Sequence, residues 1–115
     1  MDTISIKKQD EIAILELDHG ITNTITPQMV GEINSALDQI QADDHVRGLV
    51  LSSANEKFFS IGFDIPNLFP LPRQEFEAFF AAFNQLSIKL YTFSKPTIAA
   101  IRGHAIAGGC ILALC

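Results

Sequence analysis

Residues 48–53 read Gly-Leu-Val-Leu-Ser-Ser, and three apolar side chains in a row on a strand point to both of its faces. Such a run needs cover on both sides, which is the situation of a parallel sheet flanked by helices. Residues 97–101, Thr-Ile-Ala-Ala-Ile, repeat the pattern after Lys95 and Pro96. Parallel strands require a long crossover, and a helical pattern stands in front of each run. In the first, Thr26 accepts an orphan N–H and Pro27 suits the first helical position; Val30, Ile33, Leu37 and Ile40 then form a stripe that ends near Asp43 or Asp44. In the second, a helix beginning near Arg73 places Phe76, Phe79, Phe80, Phe83, Leu86 and Leu90 on one side, a packing face first and an apolar ligand wall second. The expectation is one α/β domain.

The opening residues read as a β-hairpin, with residues 3–8 alternating around Ile4 and Ile6, and residues 11–18 around Ile12, Ile14 and Leu15 or Leu17. Gln9 and Asp10 make the turn. Residues 54–64 read as loop, and Pro66, Pro70 and Pro72 keep the chain irregular up to Arg73. Residues 103–109 are a small-residue turn, and residues 110–115 look like the first turns of a helix that is still apolar where it stops, with no Gly, basic residue or polar tail to end it. The expectation is therefore the N-terminal part of a longer protein. There is no internal sequence repeat.

Composition removes several functions. Eight Lys and Arg against thirteen Asp and Glu give a net charge of −5 without a basic cluster, so counterion release from nucleic acid cannot drive binding. The N-terminal segment, with Asp2, Lys7 and Lys8 among alternating residues, fits neither a signal peptide nor a membrane span, and the expected location is the cytoplasm. Cys110 and Cys115 form no disulfide or zinc pattern and read as small buried hydrophobes. His19, His45 and His104 lack ligand spacing, so no metal site is expected.

What remains is a pair of glycine turns, each following a strand: Phe59-Ser60-Ile61-Gly62-Phe63-Asp64 and Gly103-His104-Ala105-Ile106-Ala107-Gly108-Gly109-Cys110. Glycine permits backbone conformations that aim N–H groups into a cavity and let a ligand approach. Two turns can supply two donors to an oxygen that becomes negative during a reaction, each worth about 3 kcal/mol in a dry site. A helix start after the second turn adds partial positive charge. The spacing from Gly103 to Gly108 matches the start of a phosphate loop, but Gly109 stands where Lys is required and Cys110 where Ser or Thr would hold magnesium.

Together with Asn23-Thr24-Ile25-Thr26, Gly48-Leu49-Val50-Leu51 and Lys95-Pro96-Thr97-Ile98-Ala99-Ala100-Ile101-Arg102-Gly103, the two turns resemble the crotonase (enoyl-CoA hydratase/isomerase) superfamily in order and spacing. The resemblance implies the N-terminal portion of a spiral of ββα units, usually assembled as a trimer or a dimer of trimers, that binds an acyl-CoA thioester. No separate cofactor is implied, since CoA is part of the substrate. By position, the thioester oxygen would lie between the backbone N–H groups of Phe63 and Gly108, and Ile61, Gly62, Asp64 and Ile65 would lie beside the CoA adenine and pantetheine arm.

Hydratases of this family carry Glu where Ile111 stands here, and a second Glu further along; an aliphatic side chain cannot activate water. The segment from Ala107 to Leu114 is most similar to the Δ3,Δ2-enoyl-CoA isomerases, in which one carboxylate moves a proton between C2 and C4. That carboxylate would lie beyond Cys115. His104 has a suitable intrinsic pKa for a general base but sits in a turn where a solvated role is the simpler reading. Asp64 reads as a brace of its loop through side-chain to backbone bonds, and Asp18, Glu56 and Glu75 stand in no motif. None is assigned as the base. A non-catalytic acyl-CoA-binding or assembly protein on the same scaffold is the alternative.

Overall fold

A hairpin, a helix and two further strand-strand-helix passages follow one another along the chain; the structure, a computed structural model, describes residues 2–115. Strands β1 (Ile4–Gln9) and β2 (Ile12–Leu17) pair antiparallel, and the turn falls on Asp10 and Glu11, one residue later than expected, with Asp10 at φ 56. Asp is among the few residues that tolerate this left-handed conformation. Ile4 faces Leu17 and Ile6 faces Leu15, so the buried side of β2 is Ala13, Leu15 and Leu17. Of the residues the alternation offered, Ile12 and Ile14 lie on the other face, and Ile12 is 37% exposed. A one-residue offset exchanges the two faces of a strand, and here the core shared with the first helix decides which face is covered.

That helix, α1 (Pro27–Ala42), begins as expected: the Thr26 hydroxyl accepts the Met29 N–H at 3.1 Å with Pro27 inside the first turn. Val30, Ile33, Leu37 and Ile40 are all buried, joined by Met29 and Ala36. Glu32, on the flank of the stripe, ties the chain's beginning to the helix by accepting from the Thr3 N–H (2.9 Å) and hydroxyl (2.8 Å).

Strand β3 (Gly48–Ser53) runs parallel to β2, and β5 (Thr97–Ala99) parallel to β3, giving the order β1-β2-β3-β5. Between them lie β4 (Phe58–Ser60), the single turn α2 (Ile65–Leu68) and α3 (Arg73–Tyr91); after β5 come β6 (His104–Ala105) and α4 (Gly108–Leu114). Strands β4 and β6 pair parallel in a second small sheet, and a parallel bridge between Ile25 and Phe63 carries the same pattern back to the first passage. The chain thus makes three similar passages: β2, β3 and β5 build the main sheet with β1 on its edge, and the Ile25 bridge, β4 and β6 line up apart from it, a structural repeat that leaves no repeat in the sequence.

Further expectations are corrected. The loop at 54–64 and the glycine turn at 103–109 each contain a short strand, and the proline-rich stretch contains α2, where Pro66 at the second helical position forfeits no intrahelical bond. Among the described residues the main sheet is covered on one face only: Val50 is partly exposed and Ile98, on the shortened edge strand β5, is 65% exposed. On α3, Phe79, Phe83, Leu86 and Leu90 are buried, but Phe80 is turned outward by its position on the helix and is half-exposed. Cys110 and Cys115 are half-buried free thiols rather than buried ones; burial pushes the Cys115 thiol up, against a hydrogen bond with Ser87. No helix among the described residues is long and apolar enough to cross a membrane.

Candidate functional site

The two glycine turns meet. Gly62 sits at φ 96, and a Cβ placed on it would lie 3.1 Å from the Gly108 nitrogen, 3.1 Å from the Ile106 carbonyl oxygen and 3.2 Å from the Ala107 Cβ. Only a residue without a side chain allows this approach. The second turn is tighter still against the chain leading into the first: a Cβ on Gly103 would lie 2.2 Å from the Lys57 carbonyl oxygen, and one on Gly109 2.2 Å from that of Ser60.

The orientation of each donor follows from what its own peptide's carbonyl does, because C=O and N–H of a planar trans peptide point in opposite directions. The Gly62 carbonyl accepts the Ile25 N–H at 2.8 Å, so the Phe63 N–H, on the same peptide, points away from that bridge. The Ala107 carbonyl accepts the Ile111 N–H at 3.0 Å inside α4, so the Gly108 N–H points out of the helix start. Neither N–H donates to any backbone or side-chain acceptor among the described residues, whereas their neighbours do: Ile61 to Thr22, Gly62 to Ser60, Asp64 to Ile25 and Gly109 to Ile106. Free donors on rigid, tied peptides are suited to an oxygen that gains charge.

Ala107 holds the second turn at φ 51, ψ −118, with the Gly109 N–H bonded back to Ile106 at 2.9 Å. This is the first central position of a type II′ turn, where Gly is usual. A non-glycine residue there stores about 1–3 kcal/mol of strain, held by the surrounding packing.

The remaining residues singled out by sequence are spread around the first turn. Ile61 is half-buried; Ile65, opening α2, is exposed and donates its N–H to the Phe63 carbonyl at 2.9 Å. Asp64 accepts from the Asn67 side chain at 2.7 Å, so its brace is side chain to side chain rather than to backbone. The Phe63 ring turns into α3, edge-on to Phe79 and Phe83 at 4.9 Å each, which anchors the residue whose N–H is free. His104 is exposed, its ring tilted against Phe58 at 5.5 Å. An apolar cavity of about 520 Å³ opens between α1 and α3, lined by Val30, Gly31, Leu71, Phe79, Ala82 and Leu86, and a smaller one of about 310 Å³ lies beside Asp64, His19 and Leu71; neither is lined by Phe63 or Gly108.

Two residues escaped notice as parts of the site. Asn23, fully buried at φ 51, donates to the Ser53 hydroxyl (2.7 Å) and the Phe59 carbonyl (2.9 Å) and accepts the His19 N–H (2.8 Å). Ser60, also fully buried, donates to the Asn23 carbonyl at 2.7 Å. The one signal available was Ser60 as the single polar residue between Phe58 and Phe63; Asn23, between Thr22 and Thr24, gave none.

The profile of the enoyl-CoA hydratase/isomerase family matches residues 7–115. The chain belongs to that family. Among enoyl-CoA hydratase/isomerase relatives, it is 28% identical over 104 residues to the mitochondrial enoyl-CoA delta isomerase 1 of Mus musculus, covering 90% of this chain and 36% of that protein. It is 33% identical over 115 residues to a probable enoyl-CoA hydratase of Bacillus subtilis, covering 99% of this chain and 44% of that one. A solved enoyl-CoA hydratase/isomerase from Xanthobacter autotrophicus superposes with a TM-score of 0.89 at 31% identity, over 97% of this chain and 43% of the other. The chain therefore spans less than half the length of these enoyl-CoA hydratase/isomerase relatives, and its fold is the N-terminal portion of the crotonase fold.

Proposed function

We propose that the protein carrying this chain is an enoyl-CoA isomerase, which shifts a double bond in an acyl-CoA thioester through an enolate whose oxygen accepts from the Phe63 and Gly108 N–H groups. The observation that carries this reading is the pair of unpartnered N–H groups on two tied peptides that meet across Gly62. Removing a proton beside a thioester moves charge onto the carbonyl oxygen, so fixed donors bind the enolate more strongly than the ground state. Isomerisation rather than hydration is favoured by Ile111, half-exposed on α4, at the position where the resemblance places a hydratase Glu. One carboxylate then suffices, taking a proton from C2 and returning it at C4; the reading places it outside residues 1–115. Ile61, Gly62, Asp64 and Ile65 belong in this reading beside the CoA arm, and a trimer in the cytoplasm is its assembly and location.

The test is a pair of assays on the protein carrying these residues. Conversion of a 3-enoyl-CoA to the conjugated 2-enoyl isomer, with negligible hydration of crotonyl-CoA, is expected. Rapid hydration of crotonyl-CoA would sink the isomerase assignment, and tight acyl-CoA binding with neither reaction would make the protein a non-catalytic binder.

A further inference from the structure

Ser60 touches both glycine turns without reaching either free donor. Its hydroxyl donates to the Asn23 carbonyl at 2.7 Å and accepts the Gly62 N–H at 3.1 Å, both in a fully enclosed position. Its own carbonyl accepts the Ile106 N–H at 2.9 Å and lies against the Cα of Gly109, so the second turn rests on the Ser60 peptide. Asn23, in turn, is fixed from three sides by Ser53, Phe59 and His19. We infer that Ser60 is the positioning residue that aligns the Phe63 and Gly108 donors, an inference that rests on the acyl-CoA reading above.

The coupling runs through Gly62. A glycine at φ 96 has no side chain to restrict it, so its backbone is the softest link in the first turn, and its conformation is set by the bonds at its two ends. At one end Ile25 holds the carbonyl; at the other the Ser60 hydroxyl holds the N–H. Removing the hydroxyl leaves the buried Gly62 N–H without its acceptor and the Asn23 carbonyl without its donor, and unpaired buried polar groups are expensive. Rotation of the peptide between Ile61 and Gly62 relieves the first, and it moves the Phe63 N–H with it. Displacement of a catalytic group by about 1 Å can cost on the order of 10²-fold in rate.

A conjugated 2,4-dienoyl-CoA reports donor alignment directly: two N–H groups on its carbonyl oxygen polarise the chromophore and move its absorbance to longer wavelength, whereas the CoA arm supplies affinity elsewhere. The protein carrying these residues is titrated with this probe as wild type, Ser60→Ala and Ser60→Cys, with thermal melts to establish folding. Wild type is expected to shift the absorbance. Ser60→Ala should lose more than about half of the shift while Kd changes less than about threefold, because aligned donors act on the polarised carbonyl rather than on the arm. Ser60→Cys, which keeps the size and a weak acceptor, should fall between them and carries the comparison if the Ala variant does not fold. Full wild-type shifts in both variants would overturn the role of Ser60 and leave acyl-CoA binding standing. A wild-type protein that binds the probe without any shift, or does not bind it, overturns the acyl-CoA reading and this inference together.

Discussion

A single methyl group separates two glycines with opposite demands. At Gly62 it would stand 3.1 Å from the Gly108 nitrogen, on a backbone at φ 96 that side chains rarely adopt. At Gly31, exposed on α1, it would meet nothing within 4 Å. Gly62→Ala is therefore expected to destabilise the protein by about 1–3 kcal/mol through backbone strain and crowding and to abolish the dienoyl-CoA shift, because the methyl pushes apart the two turns that carry the donors. Gly31→Ala, in a helix interior, should stabilise by about 0.5–1 kcal/mol and leave the shift intact. Denaturant unfolding and probe titration of the two variants check both statements. The turns were legible in the sequence because a requirement for glycine is written at the position itself. The Asn23–Ser60 bond that supports them was not, since its partners are 37 residues apart and neither residue names the other.

Among the elements, α1 was readable from local chemistry: a capping Thr, a Pro at the start and a stripe at helical spacing all fall within 16 residues. Strand β2 was readable as a strand but not as to its face, because Ile12 and Ile14 alternate as well as Leu15 and Leu17 do, and only the packing of α1 breaks the tie. Strands β4 and β6, three and two residues long, exist only through each other. The junction of β1 with α1 depends on the charge of Glu32. Burial pushes the Glu32 carboxyl up, but donation from Thr3, Gln28 and the Asp2 backbone outweighs it and holds the pKa at about 2 against an ordinary 4.5. A carboxylate depressed on folding contributes stability that is complete above about pH 4.5 and is lost as the pH falls through about 2. Glu32→Gln should lower the thermal midpoint at pH 7 by roughly 2–4 °C, the modest size reflecting a solvated site, and should narrow the gap between wild type and variant as the pH approaches 2. A gap that persists undiminished at low pH would assign the effect to shape instead of charge.

Over the molecule as a whole, protection should grade along the main sheet. Strand β2 lies between two partners and over the α1 core, whereas β5 pairs on one side through three residues and presents Ile98 to solvent. Amide hydrogen exchange is expected to be slowest in β2 and the facing residues of β3 and fastest in β5, β6 and α4, since local opening follows the burial of the backbone bonds. Uniform protection across all four strands would contradict this gradient. The sheet also has two unlike ends. At one, β1 folds back antiparallel and carries Lys7, Lys8 and Gln9 outward, a polar border that discourages further pairing. At the other, each strand is added parallel to the last, Ile12 meeting Gly48 and Leu49 meeting Thr97, partners 36 and then 48 positions apart in the sequence. Contacts this distant in sequence fold late. During synthesis the ribosome would therefore deliver the coil in instalments, each new turn settling on the one already laid down, and the first surface able to hold the two donors together would form only when the third turn closes over the second.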